Sequence, residues 1–495
     1  MRAALWLPAA LLLAGCSREG ERMQVIEMPS SSPLVTFRIV FLTGAASDPA
    51  GKEGLANLTA AMLAQGGTRR MSYQQILDAM FPMATAVSSQ VDKEMTTFSA
   101  VTHADNLERF YALLREMLLE PGWREEDLKR LRDQTVNFLR VTLRGNNEEE
   151  LAKEVLYNEI YQGHPYGHHN AGTVAGLESI SLEDLKRFYA RHYTRSRLML
   201  GIAGGYPKEF AERLKRDFGR LPAGEPASAD RPAPKPVQGI QVRLIEKETR
   251  SVAYSIGFPI QVKRGDPDYL PLLVMQAYFG QHRTSGGRLF RRMRTERGLN
   301  YGDYVYIEYF PRGMFRFEPD PNLARPQQIF QIWIRPVEPE TAHFALRLAF
   351  YELDKLIREG IPPAEFDEAR RYLTKYVNLL LKTKDAELGY AIDSLYYGTP
   401  EYTRYVREGL EKLTRDEVNA AIRRHLRTRD LYVVAVTAKA EELAARLLSD
   451  APSPMRYNAP KPKEILEEDR IAAAWKLGLH PEWIRVVPVE QVFEK

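Results

Sequence analysis

Three histidines crowd one glycine-rich stretch of this chain: His164, His168 and His169. Three imidazoles so placed could in principle hold a metal ion. The plainer reading makes His164 structural and leaves the other two solvated. His192 and His425 stand apart and read as packing or hydrogen-bonding residues. Arg294 and Tyr301 lie seven residues apart. A guanidinium and a phenol can hydrogen-bond a carbonyl and the oxyanion that develops from it. By spacing alone, though, they are a helix-end cation and a strand aromatic. Cys16 is the only cysteine, so a disulfide framework or a cysteine metal site is excluded. No Ser-His-Asp ordering or Gly-x-Ser-x-Gly elbow stands out, and the stretch Thr284-Ser-Gly-Gly287 lacks the lysine of a phosphate loop.

The chain that must position these groups has 495 residues, 44% hydrophobic and 27% charged. That is a globular composition, with room for about three domains or two large ones. Its 69 basic and 65 acidic residues are interspersed and leave a net charge of +4, so no nucleic-acid footprint exists. One apolar run occurs, at the N-terminus, and it is too short to span a bilayer. Residues 1–15 read as a secretory signal. Leu13-Ala14-Gly15-Cys16 resembles the bacterial lipoprotein signal. That resemblance implies cleavage before Cys16, lipidation of its thiol, and an anchor in the bacterial envelope. Ser17, where an aspartate tends to mark inner-membrane retention, fits the periplasmic face of the outer membrane.

Residues 16–32 read as a polar tether. Strand signals follow at 34–42, 84–91, 94–102 and 197–203. Helix signals fall at 51–64, 72–81, 105–119, 125–143, 147–161 and 182–191. Residues 33–220 form one unit. The proline-rich run 221–237 is a linker, residues 238–448 a second unit, and residues 449–495 a tail with one helical piece at 468–477. The two units echo each other. Asp266-Pro267 follows Asp48-Pro49 by 218 residues, and His425-Leu-Arg-Thr-Arg follows His192-Tyr-Thr-Arg-Ser by 233. The pattern predicts an α+β fold of two homologous domains, each a mostly antiparallel sheet with helices on one face.

The segment from Asp48-Pro-Ala-Gly-Lys-Glu-Gly to Leu63, followed by Gly67-Thr68, resembles the zinc-site helix of the insulinase-like (M16, inverzincin) metallopeptidases. His164-Pro-Tyr-Gly, His192-Tyr-Thr and the segment from Gly287-Arg-Leu-Phe to Gly298-Leu-Asn-Tyr301 resemble later landmarks of that family, in order, across about residues 25–446. Active members carry His-x-x-Glu-His, with two zinc ligands and a general base on one helix face. The matching positions here are Asn57, Ala60 and Ala61. The family's third ligand, a later glutamate, falls in register near Asn137, and no carboxylate occurs from Gln134 to Gly145. Alanine binds no metal and moves no proton.

The resemblance therefore implies a zinc-less subunit, with no metal or cofactor in this chain. Some family members divide the work between two chains, and the zinc-free one supplies an arginine and a tyrosine with the spacing of Arg294 and Tyr301. The expected partners are a zinc-bearing M16 subunit, a peptide substrate, and the membrane through the lipid. The alternative is a solitary peptide-binding or scaffolding envelope lipoprotein, in which the pair is residual. A large partner interface is expected, since each half has an apolar sheet to cover.

Overall fold

The computed structural model describes residues 23–495 except Ala229 and Asp450; the signal sequence and Cys16 lie outside the described residues. The first half carries strands β1 (Gln24–Pro29), β2 (Leu34–Phe41), β3 (Ser88–Val91), β4 (Thr96–His103) and β5 (Leu198–Gly204). Its helices are α1 (Leu55–Gln65), α2 (Tyr73–Met80), α3 (Leu107–Leu119), α4 (Glu125–Asn137), α5 (Arg144–Asn146), α6 (Glu148–Ile160), α7 (Val174–Ser179), α8 (Leu182–His192) and α9 (Lys208–Phe218). The second half carries β6 (Ile240–Glu246), β7 (Val252–Ile260), β8 (Asp303–Tyr306), β9 (Gln328–Val337) and β10 (Leu431–Thr437). Its helices are α10 (Tyr269–Gly280), α11 (Arg288–Phe290), α12 (Ala342–Glu359), α13 (Pro363–Leu380), α14 (Lys384–Tyr397), α15 (Tyr402–Lys412), α16 (Arg415–His425) and α17 (Ala440–Leu448). Residues beyond add α18 (Lys463–Ala473) and β11 (Ile484–Pro488).

The repeat is plain in the strand orders. The first sheet runs β1-β5-β2-β4-β3, and the second runs β11-β6-β10-β7-β9-β8. In each, the first repeat strand pairs in parallel (β1 with β5, β6 with β10) and the pairs between the other repeat strands are antiparallel; β11 of the tail adds a second parallel pair with β6. The fold is the expected α+β pair. One expectation fails at its start: residues 24–29 are not tether but β1, paired from Gln24 with Met199 to Pro29 with Gly204. The short alternation of Val25, Ile26 and Met28 is weak by itself. Its place comes from the exposed flank of β5, which needs ladder partners.

Each sheet is covered on both faces, by helices of its own half on one and by a helix from the other half on the second. In β2, Val35, Phe37, Ile39 and Phe41 join the core under the first half's own helices. Val40, on the other face, packs with Met199 and with Ile392 of α14. In β10, Leu431, Val433 and Ala435 join the second half's core, while Val434 and Val436 pack among first-half residues that include Val155 and Leu156 of α6. The halves thus exchange helices, α6 lying on the second sheet and α14 on the first. Among the described residues no open apolar sheet is left for a partner, so that argument for a large interface falls.

The tail packs on the body, as expected, but its helix is α18 rather than 468–477. β11 pairs in parallel with β6 and covers what would be the edge of the second sheet. Val492 and Phe493 then enter the first half's core. Backbone bonds from Val174 N to Phe493 O (3.0 Å) and Ala175 N to Glu494 O (2.9 Å) fix them there.

Candidate functional site

Helix α1 is held as a metal-site helix would be, without the metal chemistry. Its N-cap Gly54 has a left-handed backbone (φ 106°) and no side chain to cap with. Asp48 does the work from a distance, accepting from Gly54 N (2.8 Å) and Ala56 N (2.7 Å). A carboxylate there also suits the positive end of the helix dipole. Asn57 and Ala61 are half-buried on this helix, and Ala60 is fully buried in the core. Neighbouring Thr59 spends its hydroxyl on Leu55 O (2.7 Å). α4 packs across α1 and ends at the exposed Asn137. Beyond it the helix widens into a π segment, Phe138–Leu143. The cations after Asn137, Arg140 and Arg144, are answered by Glu494 of the tail at 2.6 and 2.7 Å. The donor set fits no zinc ion: an amide, two methyl groups and an exposed amide replace two imidazoles and two carboxylates.

The three histidines do not converge. His164 accepts from Tyr166 N at Nδ1 (3.0 Å), and its Nε2 meets Pro232 O (2.9 Å). A carbonyl only accepts, so Nε2 carries the proton. His168 Nε2 faces Asp48 at 3.2 Å. His169 accepts from Ala171 N at Nδ1 (2.9 Å) and faces Glu154 at 3.7 Å. His168 and His169 are not solvated: their side chains are 13% and 10% exposed. Burial, with Lys93 and His168 nearby, pushes His169 down to about 3.

These histidines border an ionic seam between the halves that composition did not reveal. Arg325 grips Asp92 through two bonds (2.7 and 2.5 Å) and lies 3.8 Å over the Tyr309 ring. Arg231, in the proline-rich linker, grips Glu94 through two bonds of 2.7 Å. Tyr309 donates to Glu154 (2.9 Å), and Arg335 to Glu149 (3.0 and 3.2 Å). Burial and the nearby Glu150 raise Glu154 to about 7. Burial and Arg325 lower Lys93 to about 7. In sequence the run Glu148-Glu149-Glu150 is an ordinary acidic helix start. Only the helix exchange turns it into an interface.

Arg294 and Tyr301 do come together. Arg294 sits in a second π segment, Arg291–Thr295. Tyr301 lies just before β8 rather than within it, and it is 73% exposed. The guanidinium carbon stands 4.7 Å from the Tyr301 ring centre and 5.5 Å from that of Phe290. The neighbouring arginines serve structure: Arg292 and Arg288 bind the fully buried Glu352 (2.6 and 2.7 Å), and Arg297 binds Asp469 of α18 (2.7 Å). Arg294 is therefore a stacked, part-exposed cation beside a phenol that lies just ahead of the outer strand of the second sheet.

Duplicated α+β halves, a retained Asp48-capped helix and a vacated ligand set define an M16-type protein without its metal chemistry. The chain belongs to peptidase family M16. Residues 24–174 match the insulinase (peptidase family M16) domain, and residues 179–373 match the peptidase M16 inactive domain. A relative from Helicobacter pylori called non-peptidase homolog YmxG is 21% identical over 419 residues, covering 83% of this chain and 90% of that protein. An uncharacterized zinc protease of Rickettsia bellii is 23% identical over 381 residues, covering 74% and 84%. Among solved structures, a peptidase M16 inactive domain from Pseudomonas fluorescens superposes with a TM-score of 0.72 at 22% identity, over 84% of this chain and 95% of that one. The periplasmic protease PqqL of Escherichia coli gives 0.67 at 14% identity, over 93% of this chain and 50% of that one.

Proposed function

We propose that this chain is the zinc-less subunit of a two-chain M16 peptidase of the bacterial envelope, tethered through a lipid on Cys16 to the periplasmic face of the outer membrane. A zinc-bearing M16 partner brings the metal and the general base. This chain brings Arg294 and Tyr301 and half of a chamber that accepts peptides. The observation that carries the reading is the contrast between the two sites. At α1 and Asn137 all four metal and base roles are gone, while Arg294 and Tyr301 remain stacked, accessible and free of the ion pairs that occupy Arg288, Arg292 and Arg297. A guanidinium and a phenol presented together can bind a peptide carbonyl and the oxyanion formed from it.

The test is a complex reconstituted from this chain and the M16 protein carrying His-x-x-Glu-His that co-purifies with it. Arg294→Ala and Tyr301→Phe should each lower peptide turnover by about 100- to 1,000-fold, the range for losing one oxyanion donor, with assembly intact. Full turnover in both variants refutes the role. A second reading, a solitary peptide-binding or scaffolding lipoprotein, is favoured by one observation: α6 and α14 already cover both sheets, so among the described residues no apolar sheet face calls for a partner. Failure of any zinc-bearing M16 protein to co-purify supports this second reading.

A further inference from the structure

At one end of the second sheet β7 finishes and β6, β9 and β10 begin. Residues 234–237 of the proline-rich linker pass that end, and a cleft of about 470 Å3 lies there, within the range of sites for small organic molecules. It takes no part in the proposed oxyanion chemistry. Its apolar lining comes from Pro234, Pro236 and Val237 of the linker and from Pro259 and Ile260 of β7. Its polar lining comes from the turn between α16 and β10, with Arg427 and Asp430, and from Gln327 just ahead of β9.

The cations at this end are not alike. Arg424 and His425 share Asp268, at 2.5 and 2.7 Å. Arg427 has no such partner. Among the described residues no carboxylate lies within ion-pair distance of it, and its buried Nε donates to nothing. What it rests on is a ring: its guanidinium carbon stands 4.4 Å from the ring centre of Phe258, a core residue of β7. Asp430, the one carboxylate lining the cleft, accepts instead from Gly239 N (2.8 Å). Burial pushes the Arg427 guanidinium down from its ordinary value, and only Asp430 acts against that. A half-buried guanidinium without a counter-charge favours a guest carboxylate, which it can grip through two parallel bonds. A dianion is disfavoured, since Asp430 shares the lining. A second polar atom is also left over. Gln327 donates from Nε2 to Arg231 O and Pro232 O (3.3 and 2.5 Å), and its Oε1 is buried without a donor. An N–H on the guest answers it.

The geometry points to a binding site for an acylated amino acid, free or at the carboxyl end of a peptide: its carboxylate on the Arg427 guanidinium, its N–H on Gln327 Oε1, and its apolar body against Val237, Pro259 and Ile260. The test uses the chain from Ser17 to Lys495 and the fluorescent probe dansyl-glycine, an aromatic body joined through an N–H to a carboxylate. Titration should show saturable binding of one probe per chain. Dansyl-glycinamide, with the carboxylate removed, should bind about tenfold or more weakly, the loss of a hydrogen bond to a charged group. Dansyl-sarcosine, which keeps the carboxylate and loses the N–H, should bind about fivefold more weakly. Arg427→Gln should weaken dansyl-glycine about tenfold while the melting temperature holds, because no ion pair is broken. Val237→Trp should remove binding by filling the cleft. Arg109→Gln, an exposed arginine of the first half, should change nothing. Dansyl-triglycine separates the two sources: binding at least as tight as dansyl-glycine assigns the site to peptide ends, and weaker binding assigns it to free acylated amino acids. No saturable binding in the unmodified chain, equal binding of the glycinamide or of the sarcosine probe, or full binding in both Arg427→Gln and Val237→Trp overturns the assignment. So does loss in Arg109→Gln.

Discussion

Moving the protein from pH 7 to pH 5 should destabilise it by about 6 kcal/mol, because of buried histidines. Burial holds His169 and His282 at about 3 and His192 and His343 at about 4, against an ordinary 6.5. Neighbouring cations add to the effect: Lys93 at His169 and Arg347 at His343. Between pH 6.5 and 4 the unfolded chain binds protons at these sites and the folded chain does not. Stability therefore falls as pH falls through 6.5. At pH 5 each site lies 1.5 pH units below 6.5, which costs about 2 kcal/mol at about 1.4 kcal/mol per unit, or about 8 for the four. Glu154 works in the opposite sense. Its folded carboxyl stays protonated up to about 7, well above the usual 4.5, so its contribution grows on acidification, by about 2 kcal/mol over the same range. The net loss is a large part of a typical stability of 5–15 kcal/mol. Urea unfolding followed by tryptophan fluorescence at pH 7, 6 and 5 measures it. His343→Leu is the matched control. The His343 Nε2 is buried without a partner, so removing it should cost little at pH 7 and recover about 2 kcal/mol at pH 5. An unchanged or higher urea midpoint at pH 5 refutes the reasoning.

Other outcomes follow from particular contacts. Asp92→Asn leaves Arg325, 2% exposed, without its counter-charge, and should lose about 3–5 kcal/mol in urea unfolding. Phe493→Ala should cost about 3–5 kcal/mol and speed amide exchange in β11, because the residue pins the tail to the first half. The chain from Ser17 purified alone should carry less than about a tenth of an equivalent of zinc by atomic absorption. The triple variant Asn57→His, Ala60→Glu, Ala61→His should fail to retain a full equivalent through dialysis, since no carboxylate faces it from Gln134 to Gly145 and the Ala60 site is closed.

The fold was legible because it is written twice. The Asp-Pro turns, the paired histidines before β5 and β10, and the alternation in β2 each declare themselves locally. β1 does not, since a six-residue strand of mixed polarity is specified by the flank it joins. The vacated zinc helix was legible because its absence is a matter of residue type. Arg294 and Tyr301 could be named from the resemblance, while their stacking depends on a π segment that widens the turn after Phe290. The ionic seam was hidden for a different reason. Its carboxylates come from α6 and the short β3–β4 turn, and its cations from residues 231–335. Nothing in sequence brings those two sets together except the exchange of α6 and α14.

That exchange also sets a waiting time. The first sheet is complete in sequence at Gly204, yet the helix that covers its second face begins at Lys384. About 180 residues must arrive in between, which at 5–20 residues per second is roughly 10–40 s. Throughout that interval Val40 and Met199 face solvent on an open sheet, alongside a first half whose α6 has no sheet to lie on. A chain delivered slowly, end first, is therefore a natural client for holdase chaperones. Its two halves, expressed as separate pieces, should be soluble only when each is present to supply the other's missing helix.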